Sequence, residues 1–284
     1  MVEPNLGASR TAPSREALLR TAKASPEVAA RHDKAGWLAL YADDAIVEDP
    51  VGTPESQKGR RPGRLGDELG RFYEAFIAAS DIEMVTRCDI VSDMYVFRAV
   101  DIHTTNRKTG LQMVVPANLL YEIVERHGSL AIRRMQAHWE LSRMSRVLMS
   151  KGLIGARTIA VMNWLMLRAF GPRWLMAYFQ ASQQGVGRAG KALVERLASE
   201  IGSDADSCFA TGAVIELPGG ATASASGFFD GCTALEVRDL LASGATVSGL
   251  ASIEWGARAR EAGFVAEMEP GTDRITRLRW FWEI

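Results

Sequence analysis

Cysteine is scarce. Cys88, Cys208 and Cys232 are the only three in 284 residues, and no two form a Cys-x-x-Cys pair. That excludes a disulfide framework and a cysteine-based zinc site, and it fits a reducing cytoplasm. Neither charge sign is in excess: 33 Lys and Arg face 34 Asp and Glu, a net charge of −1. No nucleic-acid partner is expected, because phosphate binding needs a concentrated basic face. The four histidines, His32, His103, His127 and His138, are dispersed, and none clusters with Cys, Asp or Glu, so no metal is expected. No uninterrupted apolar run reaches the roughly 20 residues of a spanning helix. Residues 1–14 lack the apolar stretch of a secretory leader and read as a flexible arm. Gly185 to Gly190 has G-x-G-x-x-G spacing, but no strand precedes it and no acidic residue follows at the required distance, so it carries little weight as a dinucleotide site.

What is present is apolar material for two cores. Hydrophobic residues make up 47% and charged residues 24%, and the length suits two domains of roughly 150 residues. The chain also repeats itself. Tyr41-Ala-Asp-Asp-Ala-Ile-Val-Glu-Asp-Pro-Val-Gly52 returns as Phe209-Ala-Thr-Gly-Ala-Val-Ile-Glu-Leu-Pro-Gly-Gly220, identical at five of twelve positions. The closing segments align as well, Arg134-Met-Gln-Ala-His-Trp-Glu-Leu141 against Arg277-Leu-Arg-Trp-Phe-Trp-Glu-Ile284. One difference carries chemistry: Asp49 in the first copy is Leu217 in the second. Only the first can do proton chemistry beside its proline.

Periodicity gives the order of elements. Ser14 caps a helix, helical pattern resumes over 28–41, and residues 45–47 are extended before Pro50. Residues 51–64 read as a surface loop. Over 65–79 the pattern is helical, with Leu69, Phe72, Tyr73 and Phe76 on one face. Strands follow at 82–89, 95–104, 111–122 and 131–141. The second half runs from a helix at 189–201 through strand 209–220, a short helix at 235–243, and strands at 246–255, 263–268 and 274–283. Pro50 to Trp139 spans 89 residues and Pro218 to Trp282 spans 64, so the second copy is expected to lack about one hairpin. Helices followed by meandering strands indicate an α+β fold, a curved antiparallel sheet with helices on its concave face. The expected divisions are an arm at 1–14, a first domain at 15–145, an apolar helical connector at 146–188 and a degenerate, shortened second copy at 189–284. The apolar stretch 153–179 is broken by arginines and Gly171-Pro172. It is expected to pack as helices between the two copies, and peripheral membrane contact or a lid is the alternative.

The Tyr41–Gly52 block, Phe72-Tyr73 on a helix and Met135-Gln-Ala-His-Trp139 on a last strand together resemble the bacterial ketosteroid isomerases. These belong to the nuclear transport factor 2-like, or SnoaL-like, superfamily of cone-shaped domains. The resemblance covers about residues 15–141 and implies tandem cones with a deep apolar cavity. Members often dimerise through the sheet, so an intramolecular pseudo-dimer or a homodimer is implied. It further implies that Asp49 is a general base for moving a proton within a bulky apolar ketone, as in a steroid Δ-isomerase, with no cofactor. Independently of the family, a carboxylate before proline is held extended, and apolar neighbours such as Val47 raise its pKa.

A dienolate oxygen also needs hydrogen-bond donors. The position of the family's tyrosine is Ser25 here, and no tyrosine precedes Tyr41. The region of its neutral acid, 115–121, has no Asp; Asn118 is the nearest donor. Tyr41 and Tyr73 match supporting tyrosines. By the same resemblance Val47, Trp37, Phe72, Trp139, His32 and Leu120 are expected to contact the ligand. Strand alternation places His138 and Trp139 on opposite faces, and turns Glu48 and Glu216 away from the pocket. The rival expectation is a non-catalytic binding or carrier protein for a lipid- or steroid-like ligand.

Overall fold

The computed structural model describes residues 12–60, 67–201, 204–255, 258–269 and 271–283. The expected arm 1–14 and loop 51–64 therefore lie partly outside the described residues. Helix α1 (Arg15–Ala30) opens with the Ser14 hydroxyl accepting from the Ala17 amide, and runs through Pro26. A short α2 (Lys34–Ala39) is capped by Asp33. Strands β1 (Tyr41–Glu48) and β2 (Ser56–Gln57) lead to α3 (Glu68–Phe72), whose axis continues as a π-turn over Tyr73–Ile77. Four long strands follow: β3 (Ser80–Ser92), β4 (Tyr95–Asn106), β5 (Gln112–Arg126) and β6 (Ser129–His138).

These strands form one six-stranded sheet in the order β2-β1-β6-β5-β4-β3. All neighbours are antiparallel except β1 and β6, so the sheet is mixed, not wholly antiparallel as expected. Helix α1 lies across one face of this sheet, and the apolar core between them contains Leu18, Ala22, Trp37, Phe72, Val100 and Ile123.

The second half rebuilds the same topology. Helix α7 (Gly187–Ser199) precedes β7 (Phe209–Glu216), β8 (Thr222–Ala223), α8 (Ala225–Phe229), β9 (Cys232–Ser243), β10 (Thr246–Trp255), β11 (Arg258–Met268) and β12 (Ile275–Phe281). The order β8-β7-β12-β11-β10-β9 matches the first sheet position for position, again with one parallel pair, β7 with β12. Two expectations are corrected here. Residues 235–243 are strand, because Leu235, Leu241 and their neighbours pair with β10. No hairpin is missing either; the copy is shorter through briefer strands and a helix of five residues in place of the α3 and π-turn pair. An ion pair repeats with the sequence: Glu48 binds Arg134, and Glu216 binds Arg277 at 2.6 Å.

The outer faces of the two sheets pack against each other. Phe97, Ala99, Leu120 and Ile90 of the first meet Leu250, Val265 and Phe281 of the second. The Phe97 and Phe281 rings stack with centroids 6.0 Å apart. The turns at Gly52 and Gly244, both at positive φ, approach so closely that a Cβ on Gly52 would lie 2.4 Å from the Gly244 Cα. Only glycine fits at both places. Polar pairs cross the same boundary, among them Ser243 Oγ to the Val51 carbonyl (2.8 Å) and Arg87 to Asp239 (2.8 Å).

The connector is three helices, α4 (Leu141–Ser150), α5 (Gly152–Phe170) and α6 (Pro172–Gln183). They do not pack between the copies as expected. Helix α5 lies against α3 and the π-turn of the first domain, where Arg71 donates to the Ala169 carbonyl (2.9 Å) and stands over the Phe170 ring. The physical reason is aromatic matching: Phe76 on the π-turn faces Trp174 and Tyr178 of α6, giving these helices a place on the first cone.

Candidate functional site

Asp49 follows directly on β1, with a cis peptide bond to Pro50. The Val51 amide donates to the Ala137 carbonyl on β6, which fixes this turn against the strand. Its carboxylate reaches the inside of the first cone, where Oδ1 accepts from the Trp139 indole N–H at 2.5 Å. Around it lies a cavity of about 170 Å³ lined almost entirely by apolar groups. The walls come from Ser25 and Pro26 of α1, Trp37 of α2, Phe72 and Phe76, the inward positions of β3 to β6, and Met144, Thr158, Met162 and Tyr178 of the connector. The three connector helices thus form the lid.

Burial pushes Asp49 up to about 6, against the pull of the Trp139 hydrogen bond. At neutral pH it is ionised, yet basic enough to accept a proton from carbon. Tyrosines supply the hydrogen-bond capacity. Tyr121 projects from β5 into the cavity, and burial raises it to about 12. Tyr178 comes down from α6; burial first, and then the Asp49 charge, raise its pKa. Both phenols are therefore neutral donors near pH 7, within electrostatic reach of Asp49.

Ser25 organises the inner wall. Its hydroxyl accepts from Trp37 Nε1 (3.1 Å) and shares a hydrogen bond with Tyr41 Oη (3.0 Å). The Ser25 hydroxyl and the Arg98 guanidinium lie close enough to Tyr121 to favour its ionised form, against the larger effect of burial. A small serine here leaves room for Trp37, Tyr41 and Tyr121 to converge.

The sequence-derived site is brought together in part. Asp49, Trp37, Phe72 and Trp139 line the cavity. Tyr41, Tyr73 and Val47 are buried in the core behind its wall. Tyr41 reaches the cavity wall through its hydrogen bond to Ser25, and the Tyr73 hydroxyl is buried without a hydrogen-bond partner. Asn118 and Leu120 are corrections. In β5 the inward residues are Leu119 and Tyr121, which pair with Ala137 and Met135, so Asn118 and Leu120 point outward. Asn118 Nδ2 donates to the Asp239 carbonyl (3.2 Å) and to Ser248 Oγ (3.1 Å) of the second copy, and Leu120 sits in the inter-sheet cluster. His32 is also displaced. It follows the end of α1 at positive φ and bonds Asp81 at 2.9 Å, outside the cavity. Among the described residues no three His, Cys, Asp or Glu side chains converge as a metal site.

His138 faces the second copy, opposite to Trp139 as alternation requires. The Thr246 hydroxyl donates to the Ser243 carbonyl, so it accepts from His138 Nδ1–H at 3.1 Å. Burial, followed by the nearby Arg279 charge, depresses this imidazole to about 3.

The interior of the second cone is packed with larger side chains at the corresponding positions. In the aligned closing strands Ala137, which leaves space in the first cone, corresponds to Trp280, and Asp49 corresponds to Leu217. Trp280 stacks on Phe228 and packs against Phe264, filling the second interior.

Comparisons with known proteins bear on the first half. A sequence model of the SnoaL-like domain matches residues 22–132. No curated protein matches the chain. Among solved structures, a protein from Mycobacterium tuberculosis in complex with estradiol-17β-hemisuccinate is 26% identical, covering 44% of this chain and 95% of that one (TM-score 0.35). The Δ5-3-ketosteroid isomerase from Mycobacterium sp. is 24% identical over 44% of this chain and 94% of that one (TM-score 0.37). A computationally designed 17-OHP binder is 22% identical over 44% and 94% (TM-score 0.37). Residues 22–132, which include Asp49 and most of the first sheet, are thus similar to a SnoaL-like domain.

Proposed function

We propose that the first domain is a proton-transfer enzyme acting on an apolar ketone, with Asp49 as the general base. The observation that carries this is the position of Asp49: a carboxylate raised to about 6, at the wall of an apolar cavity that also receives two neutral tyrosines. In the forward step ionised Asp49 takes a proton from the carbon between a ketone and a C=C bond. The C–H electrons form a new C=C bond to the carbonyl carbon, and the carbonyl oxygen becomes a dienolate. Tyr121 or Tyr178 donates to that oxygen without losing its proton. Asp49 then returns the proton at the far end of the dienolate, so the double bond moves into conjugation and the carboxylate is regenerated. Trp139 Nε1–H orients Asp49 and moderates its basicity. A base so placed contributes on the order of 10²–10⁴ in rate.

The cavity volume bears on the substrate. At about 170 Å³ it is close to the roughly 150 Å³ that accepts a benzene-sized guest, and below the ~300–1,000 Å³ of pockets for larger ligands. A steroid-sized ketone therefore requires α4 to α6 to move outward. A second reading, a carrier for an apolar ligand, draws on this same cover and on serine at position 25. One assay separates them: 5-ene to 4-ene ketosteroid isomerisation at about pH 7 for the wild type and Asp49→Asn. Turnover that falls at least 100-fold in the variant supports the enzyme. Steroid binding without turnover in either protein favours the carrier, and equal turnover removes Asp49 as base.

A further inference from the structure

The lid has a second face. Along α5 the inward residues are Gly155, Thr158, Met162 and Met166, and the outward ones are Leu153, Arg157, Ala160, Trp164 and Arg168. Leu153 is 91% exposed and Trp164 60%, values far from those of a core helix. Met149 on α4 and Met176 on α6 are exposed as well, at 63% and 61%. Yet α5 is fixed in place from beneath. Gly155 packs against the Leu148 carbonyl of α4, Thr158 bonds Thr109 of the first domain at 2.8 Å, and Arg71 donates to the Ala169 carbonyl at 2.9 Å.

Charge is distributed as unevenly as hydrophobicity. Between Glu140 and Glu195 there are eight basic residues and no acidic one, while the rest of the chain has 25 basic and 34 acidic. Arg143, Arg146, Arg157, Arg168 and Arg173 on the three lid helices, and Lys151 between α4 and α5, are all exposed. Large apolar side chains, a tryptophan and arginines on one exposed face, with no carboxylate among them, have the chemistry of a helix lying in an anionic lipid interface.

We propose that α4 to α6 dock on the surface of an anionic lipid bilayer, with α5 lying in its plane. Helix α5 is 19 residues long and, by length and composition, apolar enough to cross a membrane. Its inner face, however, is bound to the first cone, and Met162 closes the cavity there; crossing would uncover the site. Lying flat satisfies both faces. The lid that must move for a large apolar ligand is then the part of the protein in contact with the phase where such ligands dissolve. That consequence rests on the ligand reading above; the docking itself does not.

Vesicle co-sedimentation tests the docking, with phosphatidylcholine alone and with phosphatidylcholine containing about one-third phosphatidylglycerol. The wild-type protein is expected to partition at least tenfold more strongly to the anionic vesicles, and less in high salt. Leu153→Ser with Trp164→Ser, and separately Arg157→Glu with Arg168→Glu, are each expected to reduce partitioning at least tenfold. Thermal melting within a few degrees of the wild type shows that the variants are folded, because all four side chains point outward. Asp49→Asn is expected to bind vesicles like the wild type, which keeps this test separate from catalysis. The proposal is overturned if the wild type does not prefer anionic vesicles, or if both double variants sediment unchanged. It is also overturned if the protein ignores vesicles and instead forms a dimer that Leu153→Ser with Trp164→Ser dissociates.

Discussion

Replacing Asp49 with asparagine is expected to stabilise the protein at alkaline pH and leave it unchanged in acid. The native carboxyl titrates at about 6 and the ordinary value is 3.8, a rise of about two units caused mainly by burial. At 1.36 kcal/mol per unit this corresponds to about 3 kcal/mol. Asp49 is not wholly sealed from solvent, so we expect about 2–3 kcal/mol. Because the native pKa is the higher one, the folded state holds more protons than the unfolded chain between about pH 4 and 6. Stability from this group therefore falls as pH rises through that window, and the full cost of burying the ionised form is present above about pH 7. Asparagine has nearly the same shape, keeps an oxygen to accept from Trp139 Nε1–H, and carries no charge.

The assay is thermal unfolding of wild type and Asp49→Asn in parallel from pH 4 to 8. The two are expected to melt together near pH 4 and to separate above pH 6, with the variant about 5–10 °C higher at pH 8, using the ~2–4 °C per kcal/mol of chains this size. His138 titrates in both proteins and cancels from the difference. A gap that stays constant across the range would refute the raised pKa, and with it the main support for Asp49 as a base.

His138 has the opposite sign. Its folded pKa of about 3 lies below its ordinary 6.5, so its contribution is present above pH 6.5 and lost as pH falls. His138→Gln is expected to remove on the order of 4 kcal/mol of acid sensitivity; an unchanged acid limb in a denaturant titration would contradict the buried neutral imidazole. Ala137→Trp copies the residue that fills the second cone, and is expected to abolish binding of an apolar fluorophore such as 8-anilinonaphthalene-1-sulfonate while costing about 1–3 kcal/mol of stability. Undiminished binding would place the ligand elsewhere. Asn118→Ala is expected to cost about 1–3 kcal/mol through its lost bonds to Asp239 and Ser248, with ligand affinity and turnover unchanged. A fall in turnover at unchanged stability would return Asn118 to the active site.

Much of the architecture was legible because it was written twice. The Tyr41 and Phe209 blocks aligned, and their strands occupy the same place in two sheets of identical order. The helix expected at 235–243 was misread because Val237, Leu240 and Leu241 also fit a helical spacing; pairing with β10, invisible in a local window, makes the segment a strand. In the site, Asp49 and Trp139 were readable because a carboxylate before proline and an indole on a last strand are local features. Asn118 and Leu120 were misplaced through register: they share a parity, and whether that parity faces inward depends on the pairing of Leu119 with Ala137. The signal for Tyr121 was available in the alternation of β5, once Trp139 and Ala137 were assigned inward. Tyr178 had no such signal, since nothing local shows that α6 folds back over the first cone.

The retained second copy makes physical sense through its outer face. Phe97, Ala99 and Leu120 form an apolar patch on the first sheet, and Asn118 and His138 beside it are fully buried polar groups. Such a surface needs both an apolar cover and specific acceptors. Leu250, Val265 and Phe281 supply the cover, while Ser248, Thr246 and the Asp239 carbonyl supply the acceptors. Joining both halves in one chain makes that contact intramolecular, so it forms without the cost of bringing two molecules together. The interior of the second copy carries none of this task. There Leu217 can replace an aspartate and Trp280 can fill the cavity, provided that the sheet keeps its shape and the Glu216–Arg277 pair holds β7 to β12. The cavity and Asp49 lie inside the first cone, and the second cone's contribution to that site is the fixed position of β5 and the end of β6, which present Tyr121 and Trp139.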